Sequence, residues 1–219
     1  MGTKFSTRIW VSVVGIASIF FGSKGYADTV ISVADFGLKP DTRENAVAYV
    51  QKAIEACRGK EPVTLVFPEG RYDFWPQYAH EKNYYETNTY DVFPKRLAML
   101  FEGFHNITVD GNGSQFVMHD RIQPITVENC DGVTLKNFSI DWDIPLTAQA
   151  RVIKVGSDFF EIEINVLESP YIIEDGKLVF VGEGWKSALG SMIEFESDTH
   201  FVVPGTGDLV LGRNWRDYT

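Results

Sequence analysis

Val30-Ile31-Ser32-Val33-Ala34-Asp35-Phe36-Gly37, followed after a helical stretch by Val63-Thr64-Leu65-Val66-Phe67-Pro68-Glu69-Gly70-Arg71-Tyr72-Asp73-Phe74, is the part of the chain that decides the fold. Val30 to Val33 reads as a short strand broken by Asp35-Phe36-Gly37. Asp41 is placed as a helix N-cap with Glu44 three residues on as its capping-box partner. Val47, Val50, Ile54 and Cys57 then fall on one face of a helix expected over Thr42 to Cys57, which Gly59 ends. Val63 to Phe67 is a nearly all-apolar strand stopped by Pro68-Glu69-Gly70. Strand, turn, amphipathic helix, strand and turn in this order suit the blunt end of a parallel β-helix. A solenoid of stacked coils leaves an apolar end open, and a helix of this kind can cover it.

Further along, Phe101-Glu102-Gly103-Phe104-His105-Asn106-Ile107-Thr108-Val109 overlays Val127-Glu128-Asn129-Cys130-Asp131-Gly132-Val133-Thr134-Leu135 at an offset of 26 residues. Apolar positions coincide, Glu102 matches Glu128, and Thr108 matches Thr134, as expected of coils that bury an inward face only by stacking on their neighbours. The pattern changes after Pro145. Ala148, Ala150 and Val152, then Phe160, Ile162, Ile164 and Val166, alternate with polar residues around Gly156-Ser157-Asp158, so a hairpin with one buried face is expected. The fold class is therefore all-β: a right-handed parallel β-helix with a capping helix and an inserted antiparallel β-domain. The divisions are a leader over 1–27, cap and first coils over 28–145, and an incomplete inserted barrel or sandwich over 146–219. With no return to the solenoid before Thr219, the chain is expected to be the N-terminal part of a longer protein.

The leader has a basic start at Lys4 and Arg8, an apolar run from Ile9 to Phe21, and Gly25-Tyr26-Ala27 before a cleavage point at Asp28. This reads as a secretory signal, and the expected location is secreted or periplasmic with no membrane span after cleavage. Loss of Lys4, Arg8 and Lys24 with no acid takes the net charge from −10 to −13 over the remaining 192 residues. Nucleic acid and polyanionic substrates such as pectate are disfavoured partners for that charge, and a neutral sugar suits it. Two cysteines, Cys57 and Cys130, permit one disulfide, although both positions also suit small buried residues. The four histidines lack ligand spacing, so neither a metal nor another cofactor is expected.

The motif Ser32 to Gly37, then a helix, then Val66 to Tyr72 resembles the entry segment of secreted carbohydrate enzymes of the pectin-lyase-like superfamily. Tyr72-Asp73-Phe74-Trp75-Pro76-Gln77-Tyr78-Ala79, the tyrosine-rich loop after it, and Asn137-Phe138-Ser139-Ile140-Asp141-Trp142-Asp143 more closely resemble bacterial α-1,3-galactosidases that remove terminal galactose from blood-group B structures. The resemblance implies an inserted β-domain and a metal-free, inverting release of α-1,3-linked galactose from branched or linear host glycans. It also implies that catalysis uses aspartates from later coils, including an adjacent aspartate pair. No Asp-Asp dipeptide occurs in this chain, so the hydrolytic groups are expected beyond Thr219 and the chain alone is expected to be inactive.

Glycoside hydrolysis uses one protonated and one ionised carboxyl flanking the scissile bond. The weak catalytic candidates here are Asp141 and Asp143, two residues apart on a strand with Trp142 on the other face. The bland alternative is a strand end where the inserted domain departs. For substrate binding the candidates are Trp75, Tyr84, Tyr85 and Trp142, drawn from that strand end and from the aromatic segment between Trp75 and Phe93. Such a loop can stack on a sugar ring, or else pack over the solenoid flank or form a homodimer interface. Two rival functions stay open: a pectin-type lyase or polygalacturonase, and a non-catalytic glycan-binding surface protein.

Overall fold

The computed structural model describes residues 29–84 and 94–206 and the short strand Leu209–Val210; the leader and Tyr85, Tyr90 and Phe93 of the aromatic loop lie outside the described residues. The chain opens with β1 (Thr29–Ser32), a 3-10 turn over Val33–Phe36, and α1 (Val47–Cys57). Next come β2 (Val63–Val66), β3 (Arg71–Phe74), β4 (His80–Lys82), β5 (Lys95–Glu102), β6 (His105–Met118), β7 (Gln123–Glu128) and β8 (Asp131–Trp142). Strands β1, β2, β6 and β8 pair in parallel, and β3 pairs with the second half of β6. A second parallel pair joins β5 to β7, with β4 antiparallel on the far side of β5.

The 26-residue offset is realised as register: Ile107 faces Val133, Val109 faces Leu135, and Phe101 faces Val127. Because parallel pairing stacks like positions, Ile31, Leu65, Val109 and Leu135 form one inward column. Their exposures of 8, 0, 0 and 41% show that the column is covered until β8. Across the corner the offset falls from 26 to 24 residues, since Asp110 pairs with Lys136 and Ser114 with Phe138. Gly111 is required there: a Cβ would lie 2.5 Å from Phe138 Cβ and 2.7 Å from the Asn137 carbonyl on the neighbouring strand.

Helix α1 buries Val47, Val50, Ala53, Ile54 and Cys57 and packs on β1, β2 and β5, the first strands of the two parallel sheets. Its start differs from expectation. Asp41 has a left-handed backbone (φ 61°), accepts the Arg71 N–H at 2.9 Å, and donates its own N–H to the Arg71 carbonyl. Tied to β3 in this way, Asp41 cannot open a helix, so the helix begins at Val47 and Asn45 Oδ1 accepts the Val47 N–H at 3.1 Å. The capping box is upstream instead, where Ser32 Oγ accepts from Ala34 N–H and the Asp35 carboxylate accepts from Ser32 N–H.

Beyond β8 the pairings are antiparallel. β9 (Arg151–Val155) pairs with β10 (Phe160–Glu163), and β11 (Tyr171–Glu174), β12 (Lys177–Gly182) and β13 (Trp185–Ala188) form a meander. A last pair joins β14 (Ser191–Met192) to β15 (Leu209–Val210). The hairpin of β9 and β10 forms as expected, but β9 is exposed along its whole length rather than buried on one face. Leu178 and Val179 of β12 are the buried apolar residues of this region among the described residues. Cys57 and Cys130 are both free thiols; burial pushes the Cys57 thiol up to about 11, so it stays protonated and inert.

Candidate functional site

The residues just past the ends of β3, β6 and β8 meet in one place. Register pairs Phe74 with Met118 and Met118 with Trp142, so the next residues, Trp75, His119 and Asp143, continue the same ladder. His119 N–H donates to the Phe74 carbonyl and Asp143 N–H to the Met118 carbonyl. Trp75 lies flat on His119, with ring centroids 3.8 Å apart and planes 9° apart. Beneath them Asp73, whose side chain is wholly buried, accepts from Arg71 Nε at 3.0 Å and Nη2 at 2.5 Å. Arg71 Nη2 also donates to Asp143 at 2.7 Å.

His119 is the hinge of this cluster. Its Nε2 is 2.9 Å from Asp73 Oδ1, and its Nδ1 is 2.8 Å from a carboxylate oxygen of Glu183. The ring thus links a carboxylate on each side, Asp73 at Nε2 and Glu183 at Nδ1. Glu183 sits on the turn between β12 and β13, so the bond ties the antiparallel region to the parallel strands. Around it a Cβ on Gly184 would meet Asp120 Oδ2 at 2.5 Å, and the Arg121 guanidinium stands 5.8 Å over the Trp185 ring. Burial raises the Asp73 carboxyl, but hydrogen bonds from Arg71 and His119, and their charges, outweigh it and hold Asp73 below the usual carboxylate range.

This chemistry positions rather than cleaves. One guanidinium serves both Asp73 and Asp143, and Asp73 is held ionised, whereas a general acid must keep its proton at working pH. Asp73, His119 and Asp143 are close enough together to suggest a metal site, yet Arg71 already occupies the two carboxylates. The expected pairing of Asp141 with Asp143 is divided in the structure. Asp141 accepts the N–H of its neighbour Trp142 at 2.8 Å, while Asp143 lies past the strand end on Arg71. Trp142 is half-buried and its Nε1 donates to the Asp120 carbonyl, which holds that turn in place.

Beside the cluster lies an open cleft of about 600 Å³ bordered by Asn45, Trp75, Gln77, Tyr78, Arg96 and Asp120. Of the described substrate candidates, Trp75 borders it. Tyr84 instead donates to Glu128, and Lys82 bridges Glu102 and Glu128 at 3.0 and 2.9 Å, so the glutamates matched in the repeat are stacked neighbours sharing one cation. Tyr85 lies outside the described residues. Arg71, Asp73, His119 and Glu183 went unrecognised in the sequence. The signal that finds the first three is the 44-residue register between β3 and β6, and a repeat search at 26 residues passes over it.

Residues 148–217 match the GLAA-B beta-barrel domain I family. Over 192 residues the chain is 58% identical to a protein named Alpha-1,3-galactosidase B from Bacteroides thetaiotaomicron, covering 88% of this chain and 31% of that protein. It is 36% identical over 169 residues to Alpha-1,3-galactosidase A of Shewanella woodyi, covering 76% of this chain and 28% of that protein. It is also 36% identical over 205 residues to Alpha-1,3-galactosidase B of Phocaeicola vulgatus, covering 92% of this chain and 32% of that protein. The chain thus spans about a third of the length of the curated relatives it matches.

Proposed function

We propose that this chain supplies the N-terminal coils and first barrel domain of a secreted or periplasmic glycoside hydrolase that removes terminal α-1,3-linked galactose from B-type glycans by inversion. The observation that carries this reading is the 58% identity along 88% of the chain to a protein named for that activity. The parallel stacking supports reading residues 28–145 as the opening coils of a right-handed β-helix capped by α1, and the barrel match supports a separate domain over 146–219. In that architecture the cluster around His119 fixes the angle between barrel and coils. The acid excess favours a neutral sugar over a uronate.

The test uses the protein encoded by the complete reading frame. Given a B-type oligosaccharide with a chelator present, it should release galactose whose first-formed anomer is β, as followed by proton NMR. Uronate cleavage instead would transfer the reading to a pectin-type enzyme, and glycan binding without turnover would transfer it to a binding protein. Mass spectrometry of the exported protein should find Asp28 at the N-terminus.

A further inference from the structure

We infer that the cleft bordered by Tyr78, Trp75, Arg96 and Asp120 binds a neutral pyranose ring, with Tyr78 as its stacking platform. Tyr78 is 64% exposed and holds a left-handed backbone (φ 69°), a conformation an aromatic residue adopts only when its surroundings impose it. The imposing contacts are explicit. Gln51 Nε2 donates to the Tyr78 carbonyl at 2.8 Å, and Asn45 Nδ2 donates to the Gln77 carbonyl at 2.9 Å. Asn45 Oδ1 accepts the Trp75 N–H at 3.3 Å. Two polar residues at and near the start of α1 thus hold the loop from Trp75 to Ala79 with its tyrosine ring in water, while His119 fixes the Trp75 ring from below. A rigid loop that spends its constraints on exposing an aromatic ring, rather than burying it, is organised for a flat apolar partner.

The polar groups specify that partner. Gln77, Glu81, Arg96 and Asp120 offer amide, carboxylate and guanidinium groups suited to the vicinal hydroxyls of a sugar. Glu81 and Arg96 meet at 3.5 Å with about half of each side chain exposed, so a ligand can recruit either. Two acids against one base leave the rim negative, which repels a uronate and admits an uncharged ring. The volume lies within the range of small-molecule sites, ~300–1,000 Å³. The inference rests on the glycosidase reading for its ligand class and adds where this chain holds a sugar.

The experiment compares the complete protein with its Tyr78→Asn, Tyr78→Phe and Arg96→Gln variants. Asn tolerates the left-handed backbone, so it removes the ring without forcing the loop to refold. Binding of galactose, the B-type oligosaccharide and galacturonate is measured by calorimetry and saturation-transfer NMR, with thermal unfolding as the control. Tyr78→Asn should weaken hexose binding about tenfold, as loss of a stacking ring does, with Tyr78→Phe near wild type. Arg96→Gln should weaken it too, and galacturonate should bind worse than galactose. Wild-type affinity in both Tyr78→Asn and Arg96→Gln, or galacturonate bound as tightly as galactose, would overturn the site. The two readings fail separately: unchanged turnover and affinity in the variants removes the site and keeps the enzyme, whereas absent galactose release with Tyr78-dependent hexose binding removes the enzyme and keeps the site.

Discussion

At the scale of single residues, Asp73 governs the cluster. Replacing it by Asn removes the negative charge that pairs with Arg71 and turns one of the two acceptor oxygens on the Arg71 N–H groups into an amide nitrogen that cannot accept. Breaking a buried pair on one side costs about 3–5 kcal/mol, so Asp73→Asn should lower the denaturant midpoint without altering its slope. Because the folded carboxyl titrates below its unfolded value, its stabilising contribution is complete above pH ~4 and fades as the pH falls toward the folded value. Stability of Asp73→Asn should accordingly fall less steeply with acid below about pH 4 than that of the parent, as equilibrium unfolding at a series of pH values will show. Gly111→Ala is a test of a different kind. Its methyl would press on Phe138 and the Asn137 carbonyl, and a loss of about 1–3 kcal/mol is expected. Neither residue stands out in the sequence. Asp73 is one acid among 30 Asp and Glu, and it matters because register brings His119 to it.

Among the elements, the strands were the most legible, since Val63 to Phe67 and the match of Ile107 with Val133 follow from apolar alternation and a fixed repeat. The helix was legible in its face and its end but not in its start. Asp41 and Glu44 carry the residue types of a capping box, and nothing local reveals that Asp41 is already bonded to Arg71 thirty residues away. Tertiary hydrogen bonds overrode a local signal. Asn45 took the capping role and added two contacts to the loop after β3, so Asn45→Ala should cost about 1–2 kcal/mol and loosen that loop, detectable as faster amide exchange at Trp75 and Val47. The hairpin of β9 and β10 was legible as alternation, whereas its exposed strand was not, because alternation tells that two faces differ and not what covers them.

Over the whole molecule, one buried histidine joins the parallel strands to the antiparallel region, and a double-mutant cycle isolates its share. His119→Gln and Glu183→Gln should show a coupling of about 1–3 kcal/mol. The same variants should accelerate amide exchange in β12 and β13 while leaving α1 protected. The switch from parallel to antiparallel pairing was legible from the change in periodicity after Pro145. The junction of the two was not, since Glu183 and His119 are 64 residues apart and share no pattern. Along β8 the inward column ends half in water at Leu135 and Ile140, and among the described residues the outer edge of the strand pairs with nothing. The open edge of a twelve-residue strand beside a wet apolar row is a template for intermolecular β-addition. Polypeptide 28–219 prepared alone should therefore show a mass by light scattering that climbs with concentration, and Leu135→Lys should hold it monomeric.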